Sequence, residues 1–471
     1  MRQGLNAYRL CRILVVAFAA VTMSIARTAA QTTRPAEVPL QPQAAPATRP
    51  TNTTSPSDGT SASQPTDDRD EPTFNLWTAR QLSGDWFGLR DGLEDIGIDF
   101  SLTYQHQLQG NLRGGLDTSN AWRQTGSYDA VLELDFGKMR LLDDAGFYFK
   151  AKGTWSESDF VGINSDKVGA SGAARVNSDA ADDLPIYVNK WWFWKQFLDK
   201  KVELRLGLIE TVKDLYDVSL YANHEDKDFL NRLSFRNATI PHRTGMGAHL
   251  RVTPVEWLYF QTGGFDPHHR RTRTGFDTGF HSPGWFVGMW EMGLTPKWAS
   301  PKGPMPGRYR AGFWYDPEVR TVYEDTPDGR EPRTRSGNVG LYFGIDQMLW
   351  KENDDPADSQ GLGLYTRYGH APRDLYKISD YWSAGASYRG LIPTRDKDVT
   401  AFGVSQAILS SRYCRYKDAR ADRETVYEWY YKFYVTPWLA VSPDVQVITN
   451  PGGGKDARDA LVAGVRFRVT F

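Results

Sequence analysis

From residue 98 to residue 109 the chain alternates between two faces. Ile98, Phe100, Leu102, Tyr104, His106 and Leu108 fall on one, and Asp99, Ser101, Thr103, Gln105, Gln107 and Gln109 on the other. A repeat of two marks a β-strand. The length carries further information, because ordinary strands run about 5–6 residues whereas a tilted membrane-crossing strand needs about 9–11. The C-terminal segment repeats the design, with Leu461, Ala463, Val465, Phe467, Val469 and Phe471 against Val462, Gly464, Arg466, Arg468 and Thr470. Arginines on one face and aliphatics on the other suit a wet lumen inside a lipid-facing wall. The same pattern sets Phe147, Phe149 and Ala151 against Lys150 and Lys152, and Val202, Leu204, Leu206 and Leu208 against Glu203 and Arg205. It also sets Tyr427, Trp429, Tyr431 and Phe433 against Glu428 and Lys432.

Sixteen such segments are predicted, beginning near residues 98, 127, 146, 185, 201, 243, 256, 286, 307, 338, 361, 380, 397, 424, 437 and 459. The connections sort by parity. Those after odd-numbered strands are long (157–184, 210–242, 266–285, 317–337), and several after even-numbered strands are tight, as at Pro254-Val255 and Thr436-Pro437. Outer-membrane barrels share this asymmetry and an even strand number. A soluble sandwich needs neither the length nor the parity, and a propeller would repeat every 40–50 residues or so. The predicted fold is an all-β, transmembrane antiparallel barrel of about sixteen strands, with a short N-terminal helix at its periplasmic end. That helix is expected over 84–95, where Trp86, Leu89 and Leu93 recur at helical spacing and Ser83 and Asp85 are plausible caps. It would either plug or line the periplasmic mouth, or pack beneath the wall to seal the first strand.

Composition sharpens this picture. Trp, Tyr and Phe number 16, 23 and 23 in 471 residues, yet the mean hydropathy is −0.53. Aromatic girdles at both membrane interfaces would account for the excess, and Trp191, Trp192, Phe193, Trp194, Trp257, Tyr259 and Trp438 are assigned to them. Lys and Arg total 56 against 57 Asp and Glu, so no basic field points to nucleic acid. Two cysteines, Cys11 and Cys414, cannot build a disulfide scaffold.

Ahead of the barrel, Arg2, Arg9 and Arg12 precede an apolar run and then Thr28-Ala29-Ala30, the order of a secretory signal over 1–30. A membrane anchor is the alternative, although the run is short for a span. Residues 31–72 hold eight prolines and no aromatic residue, the composition of a disordered linker. The remaining domains are 73–97, the helical segment, and 98–471, the barrel.

Other constellations are weak. His268 and His269 beside Arg270, Arg271 and Arg273 read as a solvated cationic patch facing lipopolysaccharide phosphates more readily than as a metal site. Asp354, Asp355 and Asp358 do not match calcium-loop spacing. Gly169 to Gly172 lacks the strand, helix and Lys-Ser/Thr of a phosphate loop.

The run Gly84-Asp85-Trp86-Phe87-Gly88-Leu89-Arg90, leading to Gly97-Ile98, resembles the opening of the carbohydrate-selective porins of the OprB type. The resemblance continues through Gly110-Asn111, Gly114-Gly115, Phe229-Leu230-Asn231 and the segment 307–316. It includes Gly390-Leu391-Ile392-Pro393 with Arg395 and Asp398, and Pro443-Asp444-Val445-Gln446 with Asn450-Pro451-Gly452-Gly453. It implies passive, sugar-selective diffusion across an outer membrane, with no catalysis, cofactor or metal. Partners implied are mono- or oligosaccharides as solute, outer-membrane lipid and lipopolysaccharide, and the barrel-assembly machinery at the terminal Phe471. A homo-oligomer is compatible, and nucleic acid is not expected.

A neutral, hydroxyl-rich solute calls for lining groups of both signs. The predicted lumen faces supply Glu133, Asp135, Glu203, Glu291, Asp346 and Glu428 against Lys150, Lys152, Arg205, Arg308, Arg310, Lys432, Arg466 and Arg468. Lumen charges that merely pair across the wall are the plain alternative for each. The narrowest point should be set by an inward-folding loop, for which 157–184 and 210–242 are the candidates. Rival functions are a porin for other small solutes and an exported all-β glycan-binding or glycan-cleaving protein.

Overall fold

The computed structural model describes residues 75–157, 163–177, 179, 185–222, 228–241, 244–267, 285–324, 331–355, 358–417, 421–454 and 456–471. The expected signal, its anchor alternative and the linker lie outside them.

Sixteen long strands wind in order: β1 Ile98–Gly115, β2 Trp122–Asp135, β3 Ala145–Ser156, β4 Tyr187–Phe197, β5 Val202–Glu210, β6 Thr244–Val255, β7 Leu258–Phe265 and β8 Val287–Leu294. They continue with β9 Met305–Asp316, β10 Asn338–Lys351, β11 Gly361–His370, β12 Ile378–Arg389, β13 Val399–Leu409, β14 Arg423–Thr436, β15 Leu439–Thr449 and β16 Arg458–Thr470. Each pairs antiparallel with its sequence neighbours, and β1 pairs with β16 from Thr103↔Thr470 to Gly115↔Arg458, closing the barrel without a free edge. Closure pairs the strand backbone groups with one another wherever β1 and β16 overlap, which lipid cannot do. Most strands start within two residues of the predicted position. β2 is the exception, running back to Trp122 because its pairing with Gln109 and Gly110 continues past the apolar band.

The alternation reads out directly in three dimensions. On β1, Gln105, Gln107, Gln109 and Asn111 are buried inside, while the outer face presents Phe100 beside Leu132 of β2 and then Phe149 of β3. Phe343, Ile345, Tyr368, Trp382, Phe402, Tyr427, Trp429 and Phe467 continue that exposed apolar wall. Exposed apolar residues at the short turns, Leu141, Leu142, Trp257, Trp298, Leu391 and Ile392, ring the same end of the barrel. The girdle assignment needs correction at three positions. Trp192 points inward and stacks on Tyr148 at 4.1 Å, Trp194 packs on an internal cluster, and Tyr259 is buried with its hydroxyl on Glu291. Period two places Trp192 and Trp194 opposite Trp191 and Phe193, so a run of four aromatics cannot lie on one face.

The lumen face is not uniformly polar either. Val426, Ile448, Ala460 and Val462 point inward near the long-loop end and hold apolar residues of the second outer loop.

The N-terminal helix is shorter than predicted. α1 spans Leu89–Asp95 and starts after Gly88, whose φ of 86° is left-handed. Trp86 and Phe87 also have positive φ, so 84–88 forms a turn. Asp85 Oδ1 accepts the Asp91 N–H at 3.1 Å and Ser83 Oγ accepts from Arg90 at 3.2 Å. The segment sits on the barrel seam. β1 begins five residues before its first partner in β16, leaving the Phe100 carbonyl without a strand partner, and Arg90 Nη1 donates to it at 3.3 Å. Arg90 also covers the Trp86 ring at 4.3 Å, and that ring lies 6.4 Å from the outward Phe100. Leu82 N–H donates to Thr470 O and Phe471 N–H to Leu102 O, both at 2.8 Å. Sealing the first strand is therefore the placement found.

Candidate functional site

Both candidate loops fold into the barrel. The third outer loop leaves β5 through the short helix α2, Thr211–Asp214, and returns through α3, Arg232–Phe235. Its apolar side chains dock first: Val212, Leu215, Tyr216 and Ile240 pack against Phe265, Val287, Met289, Trp314 and Tyr342 of the inner wall. Phe229 and Phe235 join Tyr365, Ala401 and Tyr430. Each such aromatic contributes about 1.5–3 kcal/mol of burial.

Charged wall residues then fix the loop's backbone. Arg310 Nε donates to Asp217 Oδ1 at 2.9 Å and its Nη1 to Asp346 at 2.5 Å, while Ser219 donates to the same Asp346. Glu291 accepts the Asp217 N–H at 2.8 Å. Glu428 Oε1 accepts the N–H groups of Leu230 and Asn231 at 2.6 and 3.1 Å. Lys432 pairs with Asp228 at 2.8 Å, and Arg466 donates to the Asp228 carbonyl at 2.9 Å. Arg367 donates to the carbonyls of Phe235 and Ser234 at 2.7 and 2.5 Å.

The second outer loop is held in the same way. Lys152 pairs with Asp179 at 2.5 Å, Ser127 donates to that carboxylate, and Asn177 donates to Thr125 at 2.8 Å. Gln109 and Gln446 donate to the Val176 carbonyl at 3.2 and 2.9 Å. The two loops also hold each other, through Arg232 N–H to Arg175 O at 2.9 Å and Asn231 Nδ2 to Ala174 O at 3.2 Å.

The predicted lumen residues thus divide by exposure. Lys152, Glu291, Arg310, Asp346, Glu428, Lys432 and Arg466 are buried against loop or wall partners. Glu133, Asp135, Lys150, Glu203, Arg205, Arg308 and Arg468 keep part of their surface open. Arg205 Nε donates to Glu203 at 2.7 Å and its guanidinium lies 5.6 Å from the Trp192 ring. Lys150 pairs with Asp129 at 2.8 Å, and Arg308 Nη1 donates to the Val218 carbonyl of the third loop at 3.2 Å. Residues the sequence reading left unlisted include Lys190, paired with Asp214 at 2.7 Å. Arg232, Arg236, Arg320 and Tyr376 line a cavity of about 360 Å³ together with Gly172 and Ala173 of the second loop. Their signal in sequence was weak, because Arg232 opens a helix of only four residues, Arg236 follows it, and Arg320 and Tyr376 lie in other outer loops, so none falls in a periodic run.

The motif residues serve this construction. Asn231 caps α3 by accepting the Leu233 N–H at 3.0 Å, and its amide reaches Gln446 at 2.9 Å. Gln446 in turn donates to Asp444 at 2.8 Å, one residue beyond Pro443-aligned pairing with Val465. Asn450, Pro451, Gly452 and Gly453 make a tight turn with φ of 50°, 74° and 79° at Asn450, Gly452 and Gly453. Gly452 N–H donates to Glu424 at 2.7 Å. Arg395 forks onto Asp398 at 2.7 and 3.1 Å, and Asp398 accepts the Tyr434 N–H at 2.9 Å, tying a short turn to β14. Asn111 Nδ2 donates to the carbonyls of Gly114, Asp117 and Lys167 at 2.9–3.0 Å. Asp355 and Asp358 are engaged in turn hydrogen bonds with Lys351 and Asn353, and His268 with its neighbours lies outside the described residues.

A closed barrel of sixteen strands, apolar outside and narrowed inside by two anchored loops, defines an outer-membrane porin. Residues 119–471 match the family model "Carbohydrate-selective porin, OprB family", and the chain belongs to that family. It is 24% identical over 436 residues to Porin B of Pseudomonas aeruginosa, covering 83% of this chain and 92% of that one. It is 22% identical over 426 residues to the putative porin QuiX of Acinetobacter baylyi, with 83% and 93% covered. Among solved structures, the high-pH form of Pseudomonas putida OprB superposes with a TM-score of 0.74 at 22% identity, covering 84% of this chain and 99% of that one. The protein is a carbohydrate-selective porin of the outer membrane.

Proposed function

We propose that mono- or oligosaccharides diffuse passively past the second and third outer loops and that the chain catalyses no reaction on them. Glu133, Asp135, Lys150, Glu203, Arg205, Arg308 and Arg468 face the solute, and Lys152, Glu291, Arg310, Asp346, Glu428, Lys432 and Arg466 hold the loops that define the opening. The carrying observation is the partly exposed Glu203–Arg205 pair beside Trp192. It offers an acceptor and a fork of donors to sugar hydroxyls. Lipid meets the apolar wall, lipopolysaccharide meets the outer loops, the assembly machinery reads Phe471, and copies can associate side by side. Proteoliposome swelling tests the reading: glucose and maltose should enter vesicles carrying the folded barrel. Folded protein giving neither conductance nor sugar flux would sink it. Arg205→Ala should lower sugar flux relative to urea-sized solutes, and unchanged flux would remove Arg205 from the lining.

A further inference from the structure

Most lumen cations are neutralised by a carboxylate: Arg310 by Asp217 and Asp346, Lys152 by Asp179, Lys190 by Asp214, Lys432 by Asp228 and Arg205 by Glu203. Two are not. Arg251 on β6 forms neither a hydrogen bond nor an ion pair with any described residue, and its guanidinium lies flat on Tyr259, 4.1 Å from the ring centroid. Arg308 on β9 makes one hydrogen bond, to the Val218 carbonyl, and its shielded Nε has no partner.

One chain of contacts links the two: Arg251 lies over Tyr259, Tyr259 donates to Glu291 at 2.8 Å, Glu291 accepts the Asp217 N–H at 2.8 Å, and the carbonyl of the next residue, Val218, accepts from Arg308. The nearby carboxylates are already taken. Glu203 stands opposite Arg251 in the strand register, but its oxygens accept from Arg205 at 2.7 Å and Gln196 at 2.9 Å. Glu291 accepts from Tyr259 at 2.8 Å, Gln261 at 2.9 Å, Tyr342 at 3.0 Å and the Asp217 N–H. His249, the neighbour on β6, is buried against Gln261. Two guanidinium groups with uncommitted donors therefore stand on the inner wall, where Arg308 touches the third loop.

Cations with no carboxylate bonded to them raise the local concentration of anions, and a guanidinium fork matches a carboxylate in two parallel hydrogen bonds. We infer that Arg251 and Arg308 form a carboxylate-selecting step, so that the favoured solutes are sugar acids, saccharides bearing an ionised carboxylate. This rests on the sugar-porin reading: the carboxylate takes the arginines, and the hydroxyls take the Glu203–Arg205 pair.

Glucose and glucuronate are a matched probe pair, the same ring with CH₂OH or COO⁻ at one carbon. Proteoliposome flux of each, at pH 7 and low ionic strength, should give a glucuronate-to-glucose ratio above one. In the Arg251→Gln, Arg308→Gln double variant the ratio should fall about threefold or more, and 0.5 M NaCl should shrink it in the native protein. Arg251→Gln alone keeps the test open if the double variant does not fold, because that side chain makes no hydrogen bond or ion pair with any described residue and lies over the Tyr259 ring. A ratio at or below one, or a ratio unchanged in the variants, would overturn the proposal while glucose flux persists. Loss of glucose flux in the native protein would instead remove the sugar-porin reading.

Discussion

Arg310 and Asp217 meet at 2.9 Å with no solvent-exposed side-chain surface on either. Ninety-three residues separate them in the chain, and the contact pins the third outer loop to the ninth strand. Asp346 completes the arrangement on the far side of the guanidinium. A lumen arginine that would be read as a sugar contact is thus a fixture of the third loop.

Breaking that contact should cost more than sugar affinity. Asp217→Ala leaves Arg310 with an uncompensated part of its charge, and removing one partner of a buried pair typically costs about 3–5 kcal/mol. The expected outcome is a lower thermal midpoint for the folded-to-unfolded band shift on gels, with larger and noisier single-channel conductance as the loop swings clear. Native-like conductance would show that the loop is held without the pair.

Glu428 and Asn231 offer a second lever. Asn231 makes its cap to Leu233 and its bonds to Ala174 and Gln446 while its own N–H rests on Glu428. Asn231→Ala removes three side-chain hydrogen bonds at about 1 kcal/mol each. It should expose both inward loops to protease at once, since this residue joins them. Cleavage confined to the third loop would argue that the loops are held independently.

The seam should be sensitive to Arg90. Arg90→Gln withdraws the donor from the Phe100 carbonyl, and a lost hydrogen bond of this kind costs about 1 kcal/mol. Thermal stability of the barrel should fall by that amount with sugar flux preserved. A change in flux at unchanged stability would place this segment at the channel mouth instead.

Asp117 supplies a pH prediction. The Lys167 ammonium, 2.6 Å away, together with Ser119 holds this carboxyl down at about 2, against an ordinary 3.8. A lowered pKa contributes above the ordinary value and is lost as pH falls through the lowered one. The contact between the first and second outer loops should therefore persist at pH 3 and fail below about 2. Hydrogen exchange at residues 116–119 across pH 4 to 1.5 reads this directly. Loss of protection already near pH 4 would contradict it.

The strands, their faces and the parity of the loops are written in the sequence, because alternation is a local property: each residue's side is fixed by its neighbour's. The motifs were legible for a related reason, since the Asn450 to Gly453 turn and the Arg395–Asp398 fork are built from residues close in the chain. What the sequence left open depends on distant partners. Glu428 and Lys432 alternate like any lumen residues, yet they meet Leu230 and Asp228 some two hundred residues away. Nothing local distinguishes them from Glu203 and Arg205, which keep surface in the channel. The same holds for Val426, Ile448 and Val462, whose inward apolar faces make sense only once the second loop lies against them. Folding of both long loops into the barrel, and with it the division between residues that anchor and residues that face the lumen, was decided by tertiary packing. A loop's apolar and charged groups find their partners only where the closed wall brings distant strands around them.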